Sequence, residues 1–426
     1  MSYIRDWQNL FENWKRDLVA GVTVGIVALP LALGFAITTG APASAGLTTA
    51  ILAGFIAALF GGSNFQVSGP TGAMTVVLVP IVSQYGLGAL PALGITAGAI
   101  IIALSAFRLG RYIDQVPLAV MEGFTLGIAL IIALQQIPLV FDVTKADGSH
   151  TVSVAIATLK QALSEPIHWS SVALALATII LKRSWPRLRR ALKISFHIPA
   201  SALAVVVISL IAHFANIDVQ RIGELPRSLS LNFQFSFPNI PLAQFLYSAT
   251  VIAALGAIES LLSARVADGL AHKQVHMSTG FEEQQQQRRH QPNKELFGQG
   301  LATIASAGLG GLPATGAIAR TSVNVHSGAR SRLAAMIHAI FLLFVVLFFA
   351  PVISQIPTAV LAGVLIGTSL RIANIRSVKE ALQTTRSQRL VYMATALAVL
   401  FIDLIWGVVI GLVIDYITKS IAKKAR

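Results

Sequence analysis

The amino-acid sequence predicts an all-α polytopic membrane protein with about 14 transmembrane segments, arranged as two inverted repeats of about seven. Hydrophobic residues make up 55% of the chain and charged residues 12%, about half the charged share of a soluble domain. Apolar runs long enough to cross the ~30 Å hydrocarbon layer recur from end to end. Two of these runs contain the same break, which predicts a half-helix preceded by a short extended segment in each repeat.

Fourteen apolar runs are predicted to cross the membrane. In chain order they are 18–37, 46–60, 70–84, 88–107, 118–138, 170–183, 198–216, 243–266, 295–309, 315–327, 333–351, 357–373, 388–403 and 405–421. Lys and Arg collect in the loops on the side that carries both termini, so the positive-inside rule predicts cytoplasmic termini in a bacterial inner (plasma) membrane. Because each half has an odd number of spans, the two halves enter from opposite sides.

The predicted organisation around these spans has six parts. They are a cytoplasmic interfacial amphipathic helix at 1–17, the first repeat at 18–217, an extracytoplasmic connection at 218–242, the second repeat at 243–421, a mobile Gln-rich cytoplasmic loop within it at 272–294, and a basic cytoplasmic tail at 422–426. The first part rests on apolar residues at i, i+3, i+4 and i+7 from Trp7. Asp114 is expected at the membrane interface, and Asp403 in a tight turn between the last two spans.

The two breaks share a Gly-Gly pair, a Pro and a Thr-Gly-Ala tripeptide. They comprise Gly61, Gly62, Pro70 and Thr71-Gly72-Ala73 in the first repeat, and Gly310, Gly311, Pro313 and Thr315-Gly316-Ala317 in the second. Free backbone groups find no water inside a bilayer, so a break survives where protein shields it or where it lines a polar cavity. Matching breaks in two halves are typical of a transporter's substrate site. Residues 65–69 are β-favouring, which predicts a brief strand before the first half-helix.

The two predicted half-helices indicate an anion site that needs no charged side chain. Unpaired N–H groups and the helix dipole place partial positive charge at each N-terminus. Threonine hydroxyls would add donors, and the glycines would let a ligand approach the backbone. The predicted substrate-binding residues of the breaks are Thr71, Gly72, Ala73, Thr315, Gly316 and Ala317. The alternative is that Pro and Gly only kink two ordinary spans.

Two charged residues lie deep in apolar sequence. Arg320 follows the second break by about one and a half turns, and its guanidinium suits a bidentate grip on an oxyanion, so it joins the predicted substrate-binding residues. Glu259 lies within the eighth span, where a carboxyl group is a candidate proton carrier. With Ser263 one turn on, it could instead ligate Na⁺. The alternative for both charges is an ion pair that only holds helices together.

Composition and motifs exclude several function classes. The net charge of +14 lies in short loops between apolar runs, as topology requires, and does not indicate nucleic-acid binding. The absence of cysteine excludes disulfides and thiolate metal sites. No H-E-x-x-H, G-x-S-x-G or P-loop motif is present, so neither an enzyme nor an ATP-driven pump is expected. No metal or cofactor is expected beyond a coupling H⁺ or Na⁺.

These residues resemble the sulfate permease (SulP) family of anion transporters. The similar segments occur in the same order over nearly the whole chain: VALPLAL at 27–33, VSGPTGA at 67–73, LGAIESLL at 255–262, NKELFGQG at 293–300 and PATGAIART at 313–321. The resemblance implies a core domain and a gate domain that move by an elevator-like mechanism. It also implies that the half-helices at Thr71 and Thr315 frame the anion, and that Glu259 governs ion coupling.

Two departures from the family pattern affect the expectations. Members usually carry a cytoplasmic STAS domain after the last span, and the short segment after 421 leads us to expect none in this chain unless another polypeptide supplies it. The Gln-rich stretch at 274–292 is longer than the corresponding family connection, and the sequence assigns it no function.

The substrates of the family include sulfate, bicarbonate and C4-dicarboxylates. Its sodium-coupled bicarbonate members have Asp at the position of Glu259 and lack the arginine at 320, so Arg320 favours sulfate or a carboxylate here. We therefore expect proton-coupled sulfate transport by a homodimer in the lipid bilayer. The alternatives are a bicarbonate or C4-dicarboxylate transporter, an anion channel or exchanger, a nucleobase transporter, or a non-transporting scaffold.

Overall fold

Helices dominate the fold. The computed structural model describes residues 10–113, 116–148, 150–193, 198–225, 237–276, 289–373, 375–402 and 404–424. Within these residues the helices are α1 Trp14–Thr38, α2 Ala43–Phe60, α3 Gly72–Tyr85, α4 Leu90–Ala106, α5 Gly110–Ile113, α6 Leu118–Leu134, α7 Ile137–Phe141, α8 Thr151–Ser164, α9 Trp169–Ala191, α10 Ala200–Phe214, α11 Leu242–His276, α12 Pro292–Gly308, α13 Ile318–His326, α14 Leu333–Ile353, α15 Thr358–Ile372, α16 Ile375–Leu382, α17 Arg386–Phe401 and α18 Leu404–Lys424, and the strands are β1 Ser68–Gly69 and β2 Thr315–Gly316.

A helix lies at each of the fourteen segments that the sequence predicts to cross the membrane. By length and composition alone, six helical stretches of the described chain are long and apolar enough to span a bilayer: Trp14–Thr38, Ala43–Phe60, Leu87–Ala106, Leu118–Phe141, Leu242–His272 and Leu333–Ile353. The short α13 is one of the two predicted half-helices, and α12 carries a polar face. The polytopic all-α class is therefore confirmed, whereas the number of crossings and the inverted symmetry stay predictions.

The first of two compact units comprises Met1–Met74, Gln84–Asp114 and Glu224–Ser354. Within it α12 packs against both α2 and α4, and α1 packs against α14. The α4–α12 contact is close because glycines face each other: a Cβ on Gly98 would lie 2.7 Å from the Gly300 carbonyl oxygen. Small residues at helix contacts let backbones approach closely in membrane proteins.

The second unit comprises Thr75–Ser83, Gln115–Gly223 and Gln355–Arg426. Within it α17 packs against α6 and α18, and α15 packs against α9. Gly363 and Gly367 lie one turn apart on α15 and face Ala175 and Lys182 of α9. The Lys182 ammonium donates to the Val364 carbonyl at 2.7 Å, so its charge is buried against neutral acceptors.

The two chain breaks of the first unit pair with each other. Strands β1 and β2 form an antiparallel ladder in which Ser68 lies opposite Gly316 and Gly69 opposite Thr315. The Ala317 N–H extends the pairing by donating to the Val67 carbonyl at 2.9 Å. The extended segment predicted at 65–69 is present as β1, and pairing with the second break satisfies backbone groups that would otherwise be costly in an apolar interior.

Helix α12 supplies further partners of the first break. Glu295 accepts from the backbone N–H groups of Gly62 and Ser63 at 2.8 and 2.9 Å. One turn later, the Gln299 side-chain oxygen accepts from the Ser68 hydroxyl at 2.7 Å. Both α12 side chains are fully buried, so each bond replaces one that water would provide elsewhere.

The same face of α12 supports the second break. Gln299 donates through its Nε2 to the Ala314 carbonyl at 2.8 Å, and the Thr303 hydroxyl donates to the same carbonyl at 3.1 Å. The Ser306 hydroxyl donates to the Leu312 carbonyl at 2.7 Å. One polar stripe with helical spacing therefore holds both interrupted segments, and the Gln299 amide bridges them directly.

The structure corrects several predicted boundaries. Trp14 to Asp17, predicted within a surface helix, form the first turn of α1, because the Asp17 carboxylate is buried and accepts from the N–H groups of Arg330 and Ser331. The predicted loop at 272–294 is shorter, since α11 continues to His276 without a helix breaker and α12 begins at Pro292, a residue suited to a first helical turn.

Several residues of the predicted organisation lie outside the described part of the chain. They are 1–9, 226–236 in the middle of the predicted connection, 277–288 in the predicted loop, 425–426, Asp114 and Asp403. Helix α18 reaches Lys424, so most of the predicted basic tail is helical. Near the start of the connection, the Ile222 N–H donates to the Ile356 carbonyl at 3.0 Å. Helix α7 begins at the end of the predicted span 118–138, and α8 lies between that span and the one at 170–183.

We predict that Gln299→Leu destabilises the protein measurably. The change removes both bonds of the bridging amide and leaves a buried hydroxyl underpaired, which costs about 1–3 kcal/mol. The thermal unfolding midpoint of the purified protein should fall by several degrees, whereas the matched control Gln388→Leu, at an exposed position on α17, should leave it unchanged. Equal midpoints for the two variants would contradict the bridging role.

Candidate functional site

Three side-chain oxygens meet where the two breaks approach each other. The Thr71 hydroxyl donates to Glu259 Oε2 at 2.8 Å, and the Thr315 hydroxyl lies 2.6 Å from the same oxygen. The two hydroxyl oxygens are 3.0 Å apart. All three side chains are buried. The structure therefore brings together three of the residues predicted as substrate-binding or ion-coupling, from parts of the chain more than 50 residues apart.

The start of α3 presents unused backbone donors beside this cluster. Thr71 precedes the helix, and its hydroxyl oxygen accepts from the Met74 N–H at 3.3 Å, as an N-cap side chain does. In the described part of the chain, the N–H groups of Gly72 and Ala73 have no hydrogen-bond acceptor. Two of the predicted backbone donors are therefore free to bind an anion.

The second half-helix starts later than its sequence motif indicates. The N–H of Gly316 donates to the Ser260 hydroxyl at 3.0 Å, and that of Ala317 belongs to the strand pairing. These two predicted donors are thus already satisfied. Helix α13 begins at Ile318, and within the described residues no acceptor is present for the N–H groups of Ile318, Ala319 and Arg320, whereas that of Thr321 donates to the Ala317 carbonyl. The offset arises because β2 continues through Gly316.

Arg320 is 1% exposed and lies behind the loop that leads into α3. Its Nη2 donates to the Pro70 carbonyl, and its Nη1 packs against Gly69 without an acceptor. Gly69 has a φ of +155°, and a Cβ there would overlap the guanidinium, so glycine is required for this approach. The cation thus combines a structural bond with one unused donor group.

The alternative ion pair between Glu259 and Arg320 is not formed. Of these two described side chains, neither has an oppositely charged group within 4.0 Å. Ser263, predicted to assist ion coupling, points its hydroxyl towards α13, where it donates to the Thr321 hydroxyl at 3.0 Å. Thr321 in turn accepts from the Val67 N–H at 3.0 Å. Ser263 therefore links α11 to the second half-helix rather than joining the oxygen cluster.

The family follows from a comparison over almost the whole chain. A model of the sulfate permease family matches residues 14–395. The chain belongs to the sulfate permease family. "Putative sulfate transporter YvdB" of Bacillus subtilis (strain 168) is 34% identical over 416 residues, 95% of this chain and 73% of the relative. "Bicarbonate transporter BicA" of Picosynechococcus sp. is 32% identical over 417 residues, 94% of this chain and 69% of the relative.

Solved structures of related membrane domains have the same fold. The transmembrane domain of a cyanobacterial bicarbonate transporter BicA superposes with a TM-score of 0.79 at 32% identity, covering 93% of this chain and 98% of that one. SLC26A9 gives a TM-score of 0.81 at 16% identity over 98% of this chain and 66% of that one, which supports the fold alone. The prediction of an integral membrane protein of a transporter family, and not an enzyme, is therefore confirmed.

Sequence reasoning missed several polar residues of this sulfate permease site. Gln66 is buried beside Gly316 and Ser260, and neither of its amide atoms has a partner. His338 on α14 is fully buried, with its ring against Gly54. Gln66 directly precedes the VSGPTGA segment, but a single polar residue in apolar sequence gives no sign of the direction in which it points. The polar spacing on α12 was the one signal available for Gln299.

We predict that Thr71→Val and Thr315→Val each weaken anion binding about tenfold, because each removes a hydroxyl from the candidate site, and the loss of one hydrogen-bonding group there costs about 1.4 kcal/mol. The serine variants at both positions should restore most of the affinity. Binding is measured with purified protein, by calorimetry or by competition with a labelled anion.

Thr23→Val is the matched control, since that hydroxyl bonds only to the Val19 carbonyl within α1. If the valine variants lose folded protein instead of affinity, or if serine fails to rescue them, the hydroxyls act only in packing.

Proposed function

We propose that the chain is a secondary active transporter of a small oxyanion, with sulfate as the first candidate, and that it couples transport to protons through Glu259. The observation that carries this proposal is the cluster formed by Glu259, Thr71 and Thr315 between two helix starts with unused N–H groups. An acid that changes charge and a set of anion donors are thereby adjacent in one buried site.

The donors suit an oxyanion. Four backbone N–H groups, from Gly72, Ala73, Ile318 and Ala319, lie at positive helix ends, where anions bind without a charged partner. The unused Nη1 of Arg320 adds a full positive charge nearby. Two helix ends and a guanidinium favour a doubly charged tetrahedral anion over a neutral ligand, so sulfate precedes a nucleobase as candidate.

A count of hydrogens supports proton coupling. The three oxygens make three contacts of 2.6–3.0 Å, but the two threonine hydroxyls supply only one hydrogen each. With Glu259 ionised, one contact has no hydrogen, and two oxygen lone pairs face each other. A protonated carboxyl supplies the third hydrogen and closes the ring. A bound Na⁺ would also relieve this contact and remains the alternative coupling ion.

Bicarbonate is the second candidate substrate. It is favoured by the likeness to BicA, which is nearly as strong as that to the Bacillus protein named for sulfate. Bicarbonate is also an oxyanion of similar size, so the same N–H groups would bind it. A C4-dicarboxylate would place one carboxylate on these donors.

Movement is proposed to follow the elevator pattern. Every residue of the candidate site lies in the first compact unit, so that unit would carry the anion and the proton as one body. We further propose cytoplasmic termini, because of the basic loops on that side, as well as a homodimeric assembly and a bacterial plasma-membrane location.

The decisive test is uptake into liposomes by the purified full chain. Labelled sulfate, bicarbonate and succinate are offered with an inward proton gradient, an inward sodium gradient or neither. We expect concentrative sulfate uptake under the proton gradient. Accumulation of bicarbonate under the sodium gradient would instead assign bicarbonate as the substrate and Na⁺ as the coupling ion. Flux without accumulation would indicate a channel or exchanger.

We predict that Glu259→Gln abolishes gradient-driven accumulation but retains sulfate binding and downhill exchange. The amide keeps an oxygen that accepts from both threonines, yet it cannot gain or lose a proton. Accumulation and exchange are measured in the same liposome preparation, with Glu165→Gln, an exposed acid at the end of α8, as control. Accumulation by Glu259→Gln equal to wild type would exclude this carboxyl as the proton carrier.

We predict that Arg320→Lys weakens sulfate binding by at least tenfold. A lysine keeps the charge but cannot hold the Pro70 carbonyl and an anion with two parallel N–H groups. The comparison of binding affinity with folded yield separates the two roles, and Arg320→Ala should lower affinity further. Unchanged affinity in both variants would assign Arg320 to structure alone.

A further inference from the structure

One face of α9 is exposed and apolar along the first half of the helix. Trp169, Leu176 and Ile180 are 69%, 52% and 62% exposed and are spaced by seven and four residues, which places them in one line along the helix. The buried residues of α9, such as Leu174 and Thr178, lie on the opposite side. In a membrane protein, an exposed apolar line of this kind faces lipid chains.

The same line continues as arginine. Arg183, Arg187 and Arg190 follow Ile180 at spacings of three, four and three residues, and all three are exposed. The helix continues to Ala191 with Pro186 inside it, and the spacings place the three arginines on the same face as Ile180. The exposed face is apolar from Trp169 to Ile180, a rise of about 16 Å, and then changes to a row of guanidinium groups.

Nothing within the described protein neutralises this row. Helix α9 contains no Asp or Glu, and none of the three arginines has a carboxylate within 4.0 Å among the described residues. The Nε of Arg190 donates to the Pro186 carbonyl, and the residue is exposed. The positive-inside rule accounts for the number of cations here, but not for their alignment with the lipid-facing line.

We propose that Arg183, Arg187 and Arg190 form a binding site for the phosphate groups of anionic phospholipids. Lipid chains that contact Trp169, Leu176 and Ile180 bring their headgroups to the end of the apolar line, where the arginines begin. Guanidinium groups bind phosphate through paired N–H donors, and long arginine side chains reach from the edge of the apolar layer to the headgroup level. The site lies on one helix of the second unit and does not depend on the transported anion.

The test uses the purified full chain in mixed micelles of neutral detergent with phosphatidylglycerol or with phosphatidylcholine. The thermal unfolding midpoint should rise more with phosphatidylglycerol than with phosphatidylcholine. In the double variant Arg187→Gln/Arg190→Gln, this headgroup-specific rise should fall by at least half. The matched control is Arg386→Gln/Arg389→Gln, which removes two exposed arginines of the same spacing from α17 and should keep the full rise.

Further measurements distinguish the possible causes of the rise in the thermal unfolding midpoint. Inorganic phosphate at the lipid concentration should give no rise, because the site requires the chains as well as the headgroup. A full rise with phosphate alone would overturn the lipid assignment. An equal loss of the headgroup-specific rise in both double variants would also overturn the lipid assignment. The same conclusion would follow if the wild-type midpoint rose equally with phosphatidylglycerol and phosphatidylcholine. A shift of the α9 variant to a smaller oligomer in light scattering, with the lipid effect intact, would assign the row to contact with a second copy.

Discussion

The fold of the first unit depends on one constraint: backbone N–H and C=O groups that leave a helix inside an apolar interior must find partners. The two breaks meet this constraint by pairing as β1 and β2 and by bonding to the polar face of α12. In the described part of the chain, N–H groups at the starts of α3 and α13 have no acceptor. Pairing of the two breaks with each other therefore leaves backbone donors at both helix starts.

Among the described residues of this unit, Glu259 and Arg320 do not form a direct ion pair with each other. The acid at 259 is bonded to two neutral hydroxyls, and the guanidinium at 320 is bonded to a carbonyl. A close pair would hold each charge in place and oppose the gain or loss of a proton at the acid. With neutral partners, the carboxyl group can still gain or lose a proton and the guanidinium can still bind an anion. A purely structural salt bridge would leave neither group available.

Much of this site was accessible from the sequence, since long apolar runs, repeated breaks and charges within them have few physical explanations. Sequence reasoning named Thr71, Thr315 and Glu259 separately as site residues, and the structure brings their side chains together. The pairing of β1 with β2 was not predicted, because a two-residue strand has no periodicity to detect. The later start of α13 depends on that pairing, so unpaired N–H groups were expected at Gly316 and Ala317 but occur at Ile318 and Ala319. Gln299 escaped notice because it lies in a segment predicted as an ordinary span.

The pairing of Ser68 with Gly316 has a consequence for how the protein is made. Strands β1 and β2 are separated by about 250 residues of sequence. The first break therefore enters the membrane long before the second break has been synthesised. At typical synthesis rates of 5–20 residues per second, the delay is roughly 12–50 s. Throughout that time the backbone after α2 lacks its strand partner and the side chains of α12. Insertion of this chain therefore includes a waiting period in which an unfinished segment must be shielded by the insertion machinery or kept near the interface.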